Sequence, residues 1–419
     1  MALIITDAVG FFNSAHVQSL PAGQPDGKIQ VIKEVIQLKL LHLADLHIGK
    51  NENGFSMLDD QQFILEKIIE TARKKKVDAI LLAGDIYDRK DPTEDAVNLF
   101  DRFINTVHRS GMKLLAISGN HDSDDRLNFG SRIFREQNIF ICGKYEGTLA
   151  KETFNDEFGP VNFYLLPFVK ASHVSHYLDR KFDDYEQAVQ AVIASADINY
   201  DERNVILAHQ FVSSDSRFFA SQFSGSESNG AENVGNVEII SKRVFENFDY
   251  TALGHLHSPQ QVGQPNIRYS GSPLKYSLNE IDSVKSLPLI TLREKGNLEI
   301  ELLELQPKRN MRHIKGLIDD LLRKENIIDP DDYLRVTLLD DHIIPNAMDR
   351  VRFFYPNAMK LDYRFQEDRS TDISAAAATR DRSFAEMAEE FYRLSTGRDI
   401  SERESELLME AAREAGIIE

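Results

Sequence analysis

The chain has 419 residues, 42% hydrophobic and 28% charged, a composition typical of a globular protein with a substantial core in two or three domains. No apolar run approaches the roughly 20 residues that span a bilayer, and the opening MALIITDAVG lacks the basic residue of a secretory signal. A net charge of −18 argues against a protein that binds DNA through its own basic surface, unless bound cations or a basic partner supply the positive field.

Residues 1–36 contain turn-forming residues and no clear periodicity, which predicts a weakly ordered leader outside the core. From Leu38 onward, short apolar runs alternate with helix-period stretches, a pattern typical of βαβ units with buried parallel strands. Pro92 and Thr93 mark the start of one helix and Gly111 its end. Later apolar runs are richer in strands. We therefore predict an α/β fold over residues 37–306, a two-sheet sandwich with flanking helices.

The pattern changes near Pro307. Residues 307–365 predict a small α+β module that begins with a helix in MRHIKGLIDDLLRK and continues with a strand, a second helix and a second strand. Residues 366–380 are polar and poor in large apolar side chains, which predicts a linker.

Residues 381–419 predict a C-terminal helical hairpin. Capping boxes begin at Ser383 and Ser401, and Gly397 suits the stop between the two helices. Apolar residues recur at helical spacing, in the first helix at Phe384, Met387, Ala388, Phe391 and Tyr392, and in the second at Leu407, Leu408, Ala411, Ala412 and Ala415. An amphipathic pair on a polar tether is a candidate for docking a partner. Packing of the pair against its own domain remains the alternative.

Five segments share one arrangement, in which an apolar, strand-like run ends in His, Asp or Asn. They are HLADLH, LLAGD, ISGNHD, ILAH and ALGHLH. Ligands of open α/β sheets gather at the carboxyl ends of strands, so these side chains should meet at one rim. The candidate metal ligands are Asp45, His47, Asp85, Asn120, His209, His255 and His257.

This set of four His, two Asp and one Asn is too large for one catalytic ion and suits two ions that share a bridging carboxylate. Mixed nitrogen and oxygen donors favour Mn²⁺, Fe²⁺ or Zn²⁺ over Ca²⁺. The lack of thiolate ligands argues against a structural zinc site.

Together, D-x-H, GD-x(2)-D, GNHD, H and GH-x-H resemble the calcineurin-like metallophosphoesterases. The stretches HLADLHIGK, DAILLAGDIYDRKDPTEDA, ISGNHDS and YSGSPLKYSLNE resemble more closely the SbcD family, the nuclease subunits of bacterial SbcCD complexes. This resemblance runs from about residue 38 to the end of the chain. It implies that residues 307–365 form a capping domain. One departure is Asp88, which stands where archaeal and eukaryotic counterparts carry a second histidine.

The resemblance also implies roles for the candidate residues. The first ion would be held by Asp45, His47, Asp85 and His257, and the second by Asp85, Asn120, His209 and His255. His121 would contact the scissile phosphate and assist the leaving oxygen. Asp122 would orient His121, and a simple turn or helix cap is the alternative reading of Asp122.

The implied function is a Mn²⁺-dependent DNA nuclease of recombination and repair, acting as a double-strand exonuclease, a single-strand endonuclease and a hairpin-opening enzyme. Its partners would be DNA, a second nuclease subunit and an SbcC-type coiled-coil ATPase docked on the C-terminal hairpin. It would be cytoplasmic and associated with the nucleoid when bound to DNA. Two alternatives stay open, a phosphomonoesterase or protein phosphatase of the same superfamily and a non-catalytic scaffold. Protein phosphatases have GNHE in place of GNHD, and a scaffold should have a broken ligand set.

Overall fold

The computed structural model describes residues 37–214, 239–364 and 399–414, together with Ala385, Glu389, Tyr392 and Arg393. The predicted leader, the linker 366–380 and most of the first helix of the hairpin lie outside the described residues.

The first of two large sheets has six strands in the order β16-β15-β1-β4-β5-β6. The last four are parallel, and β15 and β16 extend the sheet in antiparallel fashion beside β1. The strands are β1 (Leu38–Leu43), β4 (Ala79–Ala83), β5 (Lys113–Ile117), β6 (Ile139–Cys142), β15 (Ser286–Leu292) and β16 (Leu298–Glu304). Since β4 is buried along its whole length, its sequence AILLA is apolar without alternation.

The second large sheet has the order β13-β14-β12-β9-β8-β7, with β14, β12, β9 and β8 parallel and an antiparallel strand at each edge. Its strands are β7 (Ala150–Asp156), β8 (Gly159–Leu166), β9 (Arg203–His209), β12 (Tyr250–Gly254), β13 (Gln260–Val262) and β14 (Gln264–Tyr269). Two short pairs complete the strands of this region, β2 (Asn51–Glu52) with β3 (Phe55–Ser56), and β10 (Val212–Ser213) with β11 (Ile240–Ser241).

A layer of apolar side chains lies between the two sheets. Leu40, Leu81 and Leu115 of the first sheet belong to one buried cluster with Phe163 and Leu207 of the second. This inter-sheet core brings together strands that are far apart in sequence, and it sets their carboxyl ends side by side.

Helices cover the outer faces of the sheets. They are α1 (Leu58–Lys75) and α2 (Glu94–Arg109) on the first sheet, α5 (Ala171–Leu178) and α6 (Tyr185–Ser195) on the second, and the short α3 (Asp124–Asn128) and α4 (Ser131–Arg135) after β5. As predicted, α2 follows Thr93, whose Oγ1 accepts a hydrogen bond from the Ala96 N–H, and it ends just before Gly111. The predicted α/β class is confirmed.

Residues 311–363 form a three-stranded parallel sheet with helices on one face. Its elements are β17 (Met311–Gly316), α7 (Ile318–Leu321), β18 (Tyr333–Leu338), α8 (Ala347–Phe354) and β19 (Ala358–Tyr363). The predicted helix over MRHIKGLIDDLLRK was wrong in its first half, because β17 pairs along its full length with β18. Gly316 disfavours a helix at that point, and the pairing outweighs the helical spacing of Met311 and Ile314.

Near the C-terminus, α9 (Glu402–Glu414) begins with the predicted capping box. The Ser401 N–H donates to Glu404 Oε2 at 3.0 Å, and the Glu404 N–H donates to Ser401 Oγ at 3.4 Å. Tyr392, in the preceding helical segment, donates its hydroxyl to Glu404 Oε1 at 2.6 Å. Among the described residues, no helix combines the length and the hydrophobicity that a membrane crossing requires.

Candidate metal centre

The loops that follow β1, β4, β5, β9 and β12 meet at one edge of the two sheets. The Asp45 N–H donates to the Gly84 carbonyl at 3.0 Å, and the His255 N–H donates to Asp45 Oδ1 at 2.9 Å. A Cβ added to Gly254 would lie 1.9 Å from the Ala83 carbonyl oxygen, which shows how closely the two sheets approach here. The seven candidate ligands therefore lie at a single rim.

One group of candidate ligands surrounds the imidazole of His47. His47 Nε2 lies 3.0 Å from His257 Nε2 and 3.6 Å from Asp85 Oδ2. One potential ligand atom each from Asp45, His47 and His257 lies within 4.8 Å of the other two. All four residues are buried. These are the residues that the resemblance assigns to a first ion.

A second group lies on the other side of Asp85. His209 Nε2 is 3.4 Å from Asp85 Oδ2 and 3.0 Å from Asn120 Oδ1. The same Asn120 oxygen lies 3.1 Å from His255 Nδ1. Asp85 Oδ2 therefore faces both groups.

The buried nitrogen and oxygen atoms of this site are suited to bind divalent cations. The His209 Nδ1–H donates to the Ala83 carbonyl at 2.8 Å, so in the neutral ring the Nε2 lone pair points at oxygens of Asp85 and Asn120. Lone pairs that face one another require a proton or a cation between them. Asp45 Oδ2 and His47 Nδ1 are also buried without a hydrogen-bond partner among the described residues. A mixed nitrogen and oxygen set of this kind suits Mn²⁺, Fe²⁺ or Zn²⁺.

The pKa values of the buried ligands are shifted in opposite directions, lowered for Asp85 and His255 and raised for Asp45 and His209. Burial opposes ionisation of Asp85, but the charges of His209 and His47 outweigh it and hold the Asp85 pKa well below its usual range. Burial lowers the pKa of His209, and the Asp85 carboxylate more than reverses this, to about 9. Burial raises the pKa of Asp45 to about 7 and lowers that of His255 to about 3. Cations at this site would displace the protons that the cluster otherwise holds.

The backbone of the site is strained. Four candidate ligands have positive φ, with values of 54° at Asp45, 42° at His47, 48° at Asp85 and 106° at His255. Non-glycine residues in this region cost about 1–3 kcal/mol each and cluster at functional sites. Gly84 has φ +87°, and a Cβ there would lie 2.3 Å from His209 Nδ1. The loops are thus shaped to direct side chains over the rim, at some cost in stability.

His121 lies at the open side of the cluster. Its Nδ1–H donates to the Asp88 carbonyl at 2.9 Å, and its ring centroid is 4.8 Å from that of His47. Its backbone N–H donates to Asp85 Oδ1 at 2.9 Å, so the residue is fixed next to the central carboxylate. The ring is exposed, and its Nε2 is the nitrogen that Asp88 does not engage.

The Asp122 carboxylate, which the resemblance assigns to orienting His121, bonds to three backbone N–H groups in the structure. Its Oδ2 accepts from the backbone N–H groups of Gly119 at 2.8 Å and Ile86 at 3.1 Å, and its Oδ1 accepts from Tyr87 at 2.9 Å. Asp122 therefore ties the loop after β4 to the loop after β5. These contacts favour the alternative reading of Asp122 as a turn-stabilising residue.

Glu280, which the sequence pattern does not single out, supports His257. The His257 Nδ1–H donates to Glu280 Oε1 at 3.2 Å, and Glu280 Oε2 pairs with Lys285 Nζ at 2.6 Å. Both partners of this ion pair are buried. Such a carboxylate fixes the tautomer of a metal-ligating histidine. Glu280 ends the stretch Ser277-Leu-Asn-Glu, a pattern that also suits an exposed capping box, so its spacing does not reveal this role.

Asp88 contacts the same cluster. Its Oδ1 lies 3.6 Å from His47 Nδ1 and 3.2 Å from Lys50 Nζ, and its carbonyl holds His121. One potential ligand atom each from His47, Asp88 and His121 also lies within 4.8 Å of the other two. Asp88 is therefore part of the same cluster.

A cavity of about 390 Å³ opens beside the second group of ligands. Its lining includes Asn120 and His255 of that group, the cationic or titratable side chains Lys90, Lys170 and His173, and the aromatic rings Phe168, Tyr185 and Phe211. Cationic and aromatic side chains together are typical of sites that take a phosphate and a base.

Two family models match the chain. The calcineurin-like phosphoesterase model matches residues 38–259, and the SbcD C-terminal model, described as the type 5 capsule protein repressor C-terminal domain, matches residues 307–396. The first match includes every candidate metal ligand and His121.

Similar solved structures include a dimetal phosphatase from Danio rerio, 12% identical with a TM-score of 0.39, covering 64% of this chain and 96% of its own. Another is the protein TT1561 of Thermus thermophilus, 12% identical with a TM-score of 0.36, covering 64% of this chain and 99% of its own.

Proposed function

We propose that this member of the calcineurin-like phosphoesterases hydrolyses phosphodiester bonds of DNA with two divalent cations, which are Mn²⁺ in the cell. The chain belongs to that family and has the two domains of an SbcD-type nuclease. The observation that carries the proposal is the convergence of both ligand groups on Asp85 in a chain whose C-terminal part matches the SbcD domain. The activities proposed are double-strand exonuclease, single-strand endonuclease and hairpin opening, in recombination and repair.

The residues that would hold the ions follow from the two groups. Asp45, His47, Asp85 and His257 would hold the first, and Asp85, Asn120, His209 and His255 the second. When bound, the ions would activate a water and neutralise charge on the phosphate. Glu280 would keep His257 in the tautomer whose Nε2 faces the ion.

His121 would act on the leaving oxygen. Because the Asp88 carbonyl accepts the Nδ1 proton, the neutral ring can only accept at Nε2, and the protonated ring can donate from it. The protonated ring would donate this proton to the ribose oxygen as the P–O bond breaks. General acid catalysis of this kind contributes about 10²–10⁴-fold to rate.

The cavity beside Asn120 supports a nucleotide as the substrate. Lys90 and Lys170 would contact backbone phosphates, and rings such as Phe168 would stack on a base. Two divalent cations reverse the local field in this cleft, which answers the objection raised by the net charge of −18.

The remaining positive field would come from a partner, an SbcC-type coiled-coil ATPase. The second helix of the predicted hairpin, α9, exposes Leu407 by 59% and Leu408 by 38%, an apolar surface that suits docking. Residues 307–365 would act as the capping domain, and two nuclease subunits would work as a dimer. We place the complex in the cytoplasm, at the nucleoid when bound to DNA.

A phosphomonoesterase or protein phosphatase with the same ligands is less favoured, because it would not need the SbcD C-terminal domain. A non-catalytic scaffold is opposed by the intact ligand set.

The test supplies the purified chain with Mn²⁺ or Mg²⁺, with and without the ATPase and ATP, and offers hairpin DNA and p-nitrophenyl phosphate in parallel. We expect cleavage of the hairpin. Hydrolysis of p-nitrophenyl phosphate while the hairpin DNA stays uncut would overturn the nuclease proposal.

A further inference from the structure

Gln61, in the first turn of α1, is buried beneath the loop that carries His47. Its Nε2 donates to the His47 carbonyl at 2.7 Å, and its Oε1 accepts from the Gly49 N–H at 2.9 Å. His47 and Gly49 both have positive φ, 42° and 92°. One side chain therefore fixes both ends of the strained turn that presents the His47 imidazole.

Asp60, the preceding residue, reaches in another direction. Its buried carboxylate accepts from Arg309 Nε at 3.0 Å, pairs with the Arg309 Nη2, and accepts from the Tyr333 hydroxyl at 2.8 Å. Arg309 lies between β16 and β17, and Tyr333 begins β18. The first turn of α1 is thus attached to the three-stranded module through Tyr333, and to the segment just before that module through an ion pair whose Asp60 end is buried.

We propose that Asp60 and Gln61 are positioning residues that couple the three-stranded module to the metal-ligand loop. Neither residue reaches the ligand atoms. Gln61 sets the placement of His47, and Asp60 makes that placement depend on where Arg309 and Tyr333 sit. A displacement of the module shifts the first turn of α1, and Gln61 passes the shift to the turn at His47. This inference rests on the proposed metal site.

Calorimetric titration of the full-length chain with Mn²⁺, without substrate, tests the coupling. Gln61→Met should weaken Mn²⁺ binding about tenfold, the lower end of the range for outer-shell partners. Arg309→Met, which touches no ligand residue, should weaken it by about fivefold or more. The double variant should bind no more weakly than the weaker of the two single variants, because both act through the same turn.

Arg312→Met is the matched control. Arg312 Nε pairs with Asp332 Oδ2 at 2.6 Å, within the module, so its loss should leave Mn²⁺ affinity unchanged. If Arg309→Met does not fold, Tyr333→Phe removes one hydrogen bond to Asp60 and is compared with Tyr355→Phe, whose hydroxyl contacts the Asn326 carbonyl instead.

Mn²⁺ affinity equal to that of the wild type in Arg309→Met would overturn the coupling. If Tyr333→Phe is used because Arg309→Met does not fold, wild-type Mn²⁺ affinity in Tyr333→Phe would overturn it. A double variant whose loss equals the product of the two single losses would overturn it as well. Failure of the proposed function would look different, because wild-type protein would then bind no Mn²⁺ or leave DNA intact.

Discussion

The Nε2 atoms of His47 and His257 lie 3.0 Å apart although 210 positions separate the two residues in the chain. The other nitrogen of the His257 ring donates to Glu280, so its Nε2 carries the lone pair that faces His47. Two ring nitrogens that face each other share a proton or a cation. With Asp45 and Asp85 beside them, the pair favours a divalent cation.

Loss of the shared carboxylate should affect both ions. Asp85→Asn should weaken Mn²⁺ binding by more than about 100-fold, beyond the range for outer-shell partners, because both ligand groups face this side chain. Titration calorimetry measures the affinity and the stoichiometry. Asp91→Asn, at an exposed residue paired with Arg126, is the control and should bind as wild type does. Two ions bound normally by Asp85→Asn would remove Asp85 as the bridge.

His121 should be needed for cleavage but not for metal binding. His121→Ala should keep the Mn²⁺ stoichiometry and lower the rate of DNA cleavage by about 10²–10⁴-fold. His108→Ala is the matched control, since His108 is also exposed and its Nδ1 also contacts a backbone carbonyl, that of Gln137, away from the site. Cleavage at the wild-type rate by His121→Ala would exclude the proposed proton donor.

Glu280 should matter for metal affinity and for stability. Glu280→Gln leaves Lys285 buried without its carboxylate, so the free energy of unfolding should fall by about 3–5 kcal/mol. Mn²⁺ binding should weaken about 10–100-fold because His257 loses its partner. Urea unfolding and Mn²⁺ titration measure the two effects. Glu299→Gln breaks an exposed pair with Arg293 and should change stability by less than about 1 kcal/mol. If Glu280→Gln is no less stable than Glu299→Gln, the buried network is not what the structure indicates.

Gly84 should be sensitive to a methyl group for reasons beyond its backbone conformation. Gly84→Ala and Gly111→Ala both place alanine at positive φ, +87° and +73°, which costs roughly 1–2 kcal/mol. Only at Gly84 would the new Cβ meet His209, at 2.3 Å, whereas Gly111 faces open space. Gly84→Ala should therefore lose Mn²⁺ affinity as well as stability, and Gly111→Ala only stability. Equal Mn²⁺ affinity in the two variants would argue against the close approach.

The α/β fold and the convergence of the seven candidate ligands could be predicted from the sequence, because parallel strands that end in polar residues meet at one edge of a sheet. The hydrogen-bond partners of individual side chains could not be predicted, because they depend on contacts made only in the folded chain. The resemblance predicts that Asp122 orients His121, whereas the Asp122 carboxylate accepts three backbone N–H groups. These contacts depend on how the loops after β4 and β5 fold. Glu280 and Gln61 gave no signal in spacing. Met311–Gly316 has helical spacing and is a strand, because pairing with β18 outweighs local preference.

Two cations are proposed to bind, one on either side of Asp85. An anomalous difference map from a crystal of the full chain grown with Mn²⁺ tests it most directly. We predict two peaks about 3.5–4 Å apart, one within ligand distance of His47 and His257 and the other of His209 and His255, with Asp85 reaching both. A map with no peak between these imidazoles, while Mn²⁺ is bound elsewhere on the chain, would contradict the account.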